Sequence, residues 1–279
     1  MQLLSRKIDG TLVLAKNAQK QHPYECLECK GVVRLRGGLH RQLHFYHLEP
    51  PLSCRQHQKG MVHLQTQLHF QSLLGEDCLL EHQMPEINRI ADVAWLSKKI
   101  VFEIQFSPIS AQEVKERNQD YIKLGWQVVW ILHDRRYNQS RHSSAELFLR
   151  TSPHYYTNID EAGHGFIYDQ FDSLYKGWRQ HQLTELPINV QNLRTMEPAP
   201  SKIQLLKMRS QLWPIYFGGD LVDLAHTQSN PEYLQQALER EKLIAIEKRK
   251  ERPSLISFYN TLSGFYKFFF HHLLEKMCR

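Results

Sequence analysis

The chain is 279 residues long, and 42% of them are hydrophobic, enough for a packed core and too apolar for wholesale disorder. The net charge is +6, from 35 basic and 29 acidic residues, which suits a nucleic-acid partner without requiring one. Five scattered cysteines and no secretory apolar segment speak against a disulfide framework and for a reducing cytoplasm, and no uninterrupted run of about 18 apolar residues suggests a membrane span.

Residues 1–22 hold a short strand at Leu12-Val13-Leu14-Ala15 between polar flanks. Residues 23–58 are rich in Cys, His, Gly and Arg. They read as a Cys26-x2-Cys29 knuckle, a strand over 32–36, a Gly37-Gly38 turn, and a strand carrying His44-Phe45-Tyr46-His47. Cys26, Cys29, His44 and His47 together make a closed tetrahedral ligand set for a structural Zn²⁺ in a ribbon-like hairpin. Cys54 or His57 could replace one of the histidines.

A helical pattern runs over 59–74 and closes at Gly75. Strands are expected at 78–83, 88–96 and 100–106. Ser110 with Glu113 forms a capping box that opens a helix reaching Leu124, with Gly125 at its C′ position. The apolar run at 126–132 marks a strand buried on both faces. Strand, helix and strand then form a right-handed βαβ unit with parallel strands. Beyond residue 150 the aromatic-rich stretch 154–178 reads as irregular, Pro187, Pro198 and Pro200 mark a connector, and helices follow from Ser201, including a mixed-charge one over 233–252. The apolar stretch 255–274 is broken by Asn260, Lys267, His271 and His272, and its part 258–270 reads as core or a partner-docking helix. Three units are expected: a strand and zinc module (1–58), an α/β core (59–150), and a connector with a helical region (151–279).

The pair Asp92 and Glu103 carries the chemistry. Arg89-Ile90-Ala91-Asp92 and Phe102-Glu103-Ile104-Gln105 lie on two strands joined at Ser97-Lys98-Lys99. A two-residue turn at Ser97-Lys98 places Asp92 opposite Glu103, with Cβ atoms roughly 4.5–5.5 Å apart. Two carboxylates that close repel unless a cation lies between them, and a hard divalent ion suits oxygen donors. The alternative is a pair of ordinary ion pairs to Arg89 or Lys99. Glu103 and Gln105, two apart on a strand, share one face.

The ordered set Cys26/Cys29, His44-Phe45-Tyr46-His47, His63, Arg89-x-Ala91-Asp92-Val93, Glu103-Ile104-Gln105-x-Ser107-x-Ile109-Ser110, Arg117 with Tyr121, and Val129-Trp130-Ile131-Leu132 resembles the CoiA-like competence protein family over about residues 10–135. The resemblance implies a restriction-endonuclease-like core of the PD-(D/E)XK superfamily: a mixed sheet flanked by helices, behind a zinc-ribbon-like module and ahead of a helical region. It implies a Mg²⁺- or Mn²⁺-dependent deoxyribonuclease acting on DNA in natural transformation or recombination, with competence or recombination proteins as partners of the C-terminal helices. Asp92 and Glu103 carry over as metal ligands. Gln105 falls where most of the superfamily has lysine, and Arg117, Tyr121 and His63 flank the site. The chain departs from the pattern at Met61-Val62, where an acidic residue is usual, and at Gln67, where a lysine is usual; Glu81 or Glu86 could supply the carboxylate. These departures keep a second reading open, a catalytically inactive DNA-binding adaptor on the same fold. A zinc-stabilised scaffold that ignores nucleic acid is a third.

Overall fold

A computed structural model describes residues 1–39, 41–49, 51, 53–251 and 262–270. Cys278, Arg252 and the flanks of the apolar stretch, 252–261 and 271–279, lie outside the described residues.

The N-terminal strands are β1 (Leu4–Arg6), β2 (Leu12–Leu14), β3 (Tyr24–Glu25), β4 (Val32–Gly38) and β5 (Arg41–His47), and they form one sheet in the order β2-β1-β3-β4-β5. Val13, Tyr24, Val33 and Phe45 alternate inward and pack with Cys26 and Cys54 into a small core. Next come α1 (Met61–Leu74), β6 (Cys78–Met84), β7 (Arg89–Trp95), β8 (Ile100–Gln105), α2 (Ala111–Lys123), β9 (Gln127–His133), α3 (Ser144–Leu149), β10 (His154–Thr157) and β11 (Ile167–Asp169). The chain continues through β12 (Asp172–Tyr175), β13 (Trp178–Gln182), β14 (Leu186–Pro187), β15 (Asn189–Thr195), α4 (Gln204–Leu212), β16 (Ile215–Gly218), α5 (Leu221–Thr227) and α6 (Pro231–Glu251), and residues 262–270 are helical.

The central sheet has seven strands in the order β14-β11-β10-β9-β8-β7-β6, so the protein is a mixed α/β fold. β8 pairs with β9, and β9 with β10, in parallel; the other pairings are antiparallel. Both parallel links are βαβ crossovers, through α2 and α3. Strands β8 and β9 are buried almost throughout, as their near-continuous apolar runs require. One face of the sheet packs Val93, Phe102, Val129 and Tyr155 against Leu64 and Phe70 of α1. The other packs Val101, Val128 and Trp130 against Val114 and Tyr121 of α2.

The stretch 154–178 is not irregular: Tyr155 and Tyr156 sit in β10, Tyr168 in β11 and Tyr175 in β12, and Tyr155 and Tyr168 are buried. The proline connector likewise holds β14 and β15, and β16 interrupts the helical region. Among the described residues, no helix is long and apolar enough to cross a membrane.

Candidate functional site

The hairpin of β7 and β8 pairs Val93 with Phe102, Ala94 with Val101 and Trp95 with Ile100, the register that a turn centred on Ser97-Lys98 requires. No glycine enforces the turn. Lys99 takes the left-handed conformation (φ 51°) and donates its N–H to the Leu96 carbonyl at 3.2 Å. Asp92 and Glu103 are the next residues outward. There the ladder gives way, because the Ile104 N–H donates to Asp92 Oδ2 at 2.9 Å.

Both carboxylates are buried, Asp92 at 5% and Glu103 at 2% exposure, and both line a cleft of about 430 Å³. Lys59 Nζ lies 2.8 Å and His63 Nε2 3.0 Å from Asp92 Oδ1. Arg117 donates to Glu103 Oε2 at 2.8 Å, and the Tyr121 hydroxyl donates to Glu103 Oε1 at 2.5 Å. Burial pushes the Asp92 carboxyl up, but His63 and Lys59 outweigh it and hold the acid well below the usual carboxylate range. For Glu103 the balance is opposite. Burial, with the Asp92 charge added, keeps it above an ordinary glutamate despite Arg117 and Tyr121.

Each of these side chains has a local cause. Gly60 precedes α1, so His63 and Gln67, one turn apart, face the same strand. His63 takes the Asp92 side chain, and Gln67 Nε2 donates to the Asp92 carbonyl at 2.9 Å. Gln67 therefore anchors β7 where the resemblance led us to expect a cation. The Ser110 hydroxyl accepts the Glu113 N–H at 3.1 Å and starts α2, which places Arg117 and Tyr121 one turn apart over Glu103. Glu113 in turn accepts from Arg117 Nε at 2.8 Å and lies 3.3 Å from Arg89 Nη1. Gln105 lines the cleft and turns its amide toward Ser107, donating to the carbonyl at 2.7 Å.

Of the two carboxylates proposed as additions, Glu81 is near. The β6–β7 register sets it opposite Asp92, between the pairs Leu80–Val93 and His82–Ala91, and its Oε1 lies 3.5 Å from Lys59 Nζ. Glu86 is exposed and does not line the cleft. Lys59 is the cleft residue that sequence reasoning missed. It stands one turn before His63, just ahead of the helix start, and that spacing was the available signal.

A second cluster lies in the N-terminal module. Among the described residues, one group of metal-ligating side chains has all its donor atoms within 4.8 Å of one another: Cys26, Cys29, His47 and Cys54. This Cys₃His set could hold a structural metal ion such as zinc. Cys29 Sγ is 3.3 Å and Cys54 Sγ 3.6 Å from His47 Nε2, and the Cys26 and Cys54 sulfurs are 3.8 Å apart. Burial raises the Cys26 and Cys54 thiols, and a divalent cation is the partner that would turn such buried sulfurs into thiolates. The expectation for His44 is corrected. His44 and His47 are three apart on β5, so they face opposite sides, and His44 Nδ1 instead contacts the Gln42 carbonyl at 2.8 Å. Cys54 takes its place; the side chain of His57, the other alternative, lies outside the described residues.

Residues 54–175 match the family model described as "Competence protein CoiA, nuclease-like domain". Over those residues the chain is similar to a CoiA-type nuclease-like domain. The CoiA match begins at Cys54 and ends at Tyr175 of β12, so it takes in Lys59, His63, Asp92, Glu103, Gln105, Arg117 and Tyr121. Comparison with curated proteins and with solved structures finds no match.

Proposed function

We propose that this chain is a Mg²⁺- or Mn²⁺-dependent deoxyribonuclease that acts on DNA in natural transformation or recombination. The carrying observation is the convergence of two buried carboxylates, Asp92 and Glu103, on a cleft whose walls include Arg55, Lys59, Arg89 and Arg117. The donor set fits a hard divalent ion. Burial first, and the nearby Asp92 charge after it, raise Glu103 despite Arg117 and Tyr121, and a divalent ion between the two carboxylates would favour its ionised form.

Asp92 and Glu103 would hold the ion, which when bound polarises a phosphoryl oxygen and lowers the pKa of water. The remaining work falls to the protein's own groups. His63 fixes the rotamer of Asp92, and Tyr121 that of Glu103. Arg117 and Lys59 offer the positive charge that a dianionic phosphorane needs, from positions preorganised by their carboxylate partners. Gln105 is neutral and cannot act as a base; its amide can orient a water or a phosphate oxygen. In the N-terminal module, Zn²⁺ on Cys26, Cys29, His47 and Cys54 would be structural, since four protein ligands leave no open position.

Purified protein is expected to nick or resect DNA with Mg²⁺ or Mn²⁺, and Asp92→Ala or Glu103→Ala to lower the rate by on the order of 10²-fold or more. Unchanged cleavage in both variants would place the chemistry elsewhere. A second reading has its own support: Lys59, His63 and Arg117 already satisfy the two carboxylates. DNA binding with no cleavage under any divalent ion would favour that non-cutting adaptor.

A further inference from the structure

Lys59 reaches Asp92 from a segment tied at both ends. Cys54 opens that segment as a member of the Cys₃His cluster, and a 3₁₀ turn over Arg55–Gln58 leads to Lys59. Glu28, between Cys26 and Cys29, brackets the turn: its carboxylate accepts the Arg55 N–H at 2.8 Å, the Gln56 N–H at 3.2 Å and Arg55 Nε at 2.6 Å. At the far end, the Met1 ammonium donates to the carbonyls of Gln56 at 3.0 Å and Lys59 at 3.1 Å. Glu81 completes the frame, accepting the Leu3 and Leu4 N–H groups with Oε2 and facing Lys59 with Oε1. Arg55 and Gln56, which the knuckle holds directly, line the same cleft as Asp92.

We propose that the Cys26/Cys29/His47/Cys54 cluster sets the position of Lys59 in the acidic cleft, so that metal loading of the cluster assembles the cleft wall and stripping releases it. Cys26 and Cys54 are 28 residues apart, and a shared ion closes that loop at a fixed point. Without the ion that closure is lost, and the Arg55–Gln58 turn is held only by Glu28 and Met1. Lys59 thus meets Asp92 from a position set by a cluster outside the cleft. The coupling goes beyond the nuclease reading and holds whether or not the cleft cuts DNA.

The test uses the full chain, purified with zinc under reducing conditions and compared before and after zinc removal by 1,10-phenanthroline. Amine acetylation is read at each lysine by peptide mass spectrometry, and amide hydrogen exchange over β8 and β9 reports whether the central sheet stays intact. Lys59 acetylation is expected to rise at least about tenfold on stripping, with exposed Lys98 and Lys99 as unchanged internal standards. Glu28→Ala, which keeps all four ligands, is expected to retain zinc and still raise Lys59 acetylation several-fold. Unchanged Lys59 acetylation in stripped protein with an intact sheet would overturn the proposal. Should stripping also open the sheet, Glu28→Ala decides: Lys59 as protected as in the parent protein sinks the coupling. Because no arm reads cleavage, failure here is distinct from failure of the nuclease reading.

Discussion

Asp92 and Glu103 sit side by side and titrate in opposite directions. Burial raises both acids, but Asp92 has His63 and Lys59 on Oδ1, which together outweigh burial and hold it well below the usual range. Glu103 has Arg117 on one oxygen, a neutral phenol on the other and the Asp92 charge nearby, and it stays raised. On acidification Glu103 therefore takes up a proton while Asp92 remains ionised. An acid whose folded pKa exceeds its unfolded value makes the fold bind more protons in that window, so its contribution to stability falls as pH rises through the folded pKa. A divalent ion that binds ionised Glu103 removes that penalty. The increase in melting temperature produced by Mn²⁺ is thus expected to be small at acid pH, to grow as pH rises through the Glu103 titration, and to shrink strongly in Glu103→Gln. A Mn²⁺ shift that ignores pH, or persists in the variant, would show that Glu103 is not the ligand.

Helix α1 does more for β7 than pack against it. Gln67 is fully buried and holds the Asp92 carbonyl, while His63 one turn earlier holds the side chain, so one helix face fixes both halves of the residue. Gln67→Ala would leave a buried carbonyl without its donor and open a small void. A loss of about 1–3 kcal/mol in urea unfolding is expected, with the larger share of any activity loss arising through displaced Asp92. A variant as stable as the parent would mean the contact contributes nothing net. At this scale much was legible. The buried strands, the Ser110 cap and the Arg117–Tyr121 face follow from local pattern, and the β7–β8 register followed from counting across the turn, with Lys99 adopting the backbone a glycine would otherwise supply. The histidine pair misled because ligand spacing was weighed without the two-residue period of a strand, which sends His44 away from His47. Strands β10 and β11 escaped notice because they are short, aromatic and paired across long separations, with Tyr156 opposite both Leu132 and Tyr168.

At the level of the whole molecule, the central sheet draws β10, β11 and β14 from beyond residue 150, and the cleft takes Arg55 and Lys59 from the segment that follows the knuckle. Neither join is visible from local pattern, since each is a contact between residues far apart in the chain. The same long-range pairing bears on how DNA would be held. Cations at the cleft are committed: Arg55 to Glu28, Lys59 to Asp92, Arg89 to Asp120 and Arg117 to Glu103. On the β4–β5 hairpin, by contrast, Arg34, Arg36 and Arg41 are exposed and make no ion pair among the described residues, and Arg36 lies 5.9 Å from the centre of the Tyr46 ring. A paired arginine must give up its carboxylate before it binds phosphate, whereas an uncommitted one displaces counterions directly. If the protein binds duplex DNA, the hairpin should therefore carry much of the salt dependence. With Mg²⁺ and Mn²⁺ withheld, which leaves every cleft ion pair in place, changing Arg34, Arg36 and Arg41 to Gln should flatten the slope of log K against log salt by about 2–3, at about 0.9 per lost phosphate contact. An unchanged slope would assign the electrostatic grip to the cleft cations instead, and would mean that their carboxylate partners yield to DNA.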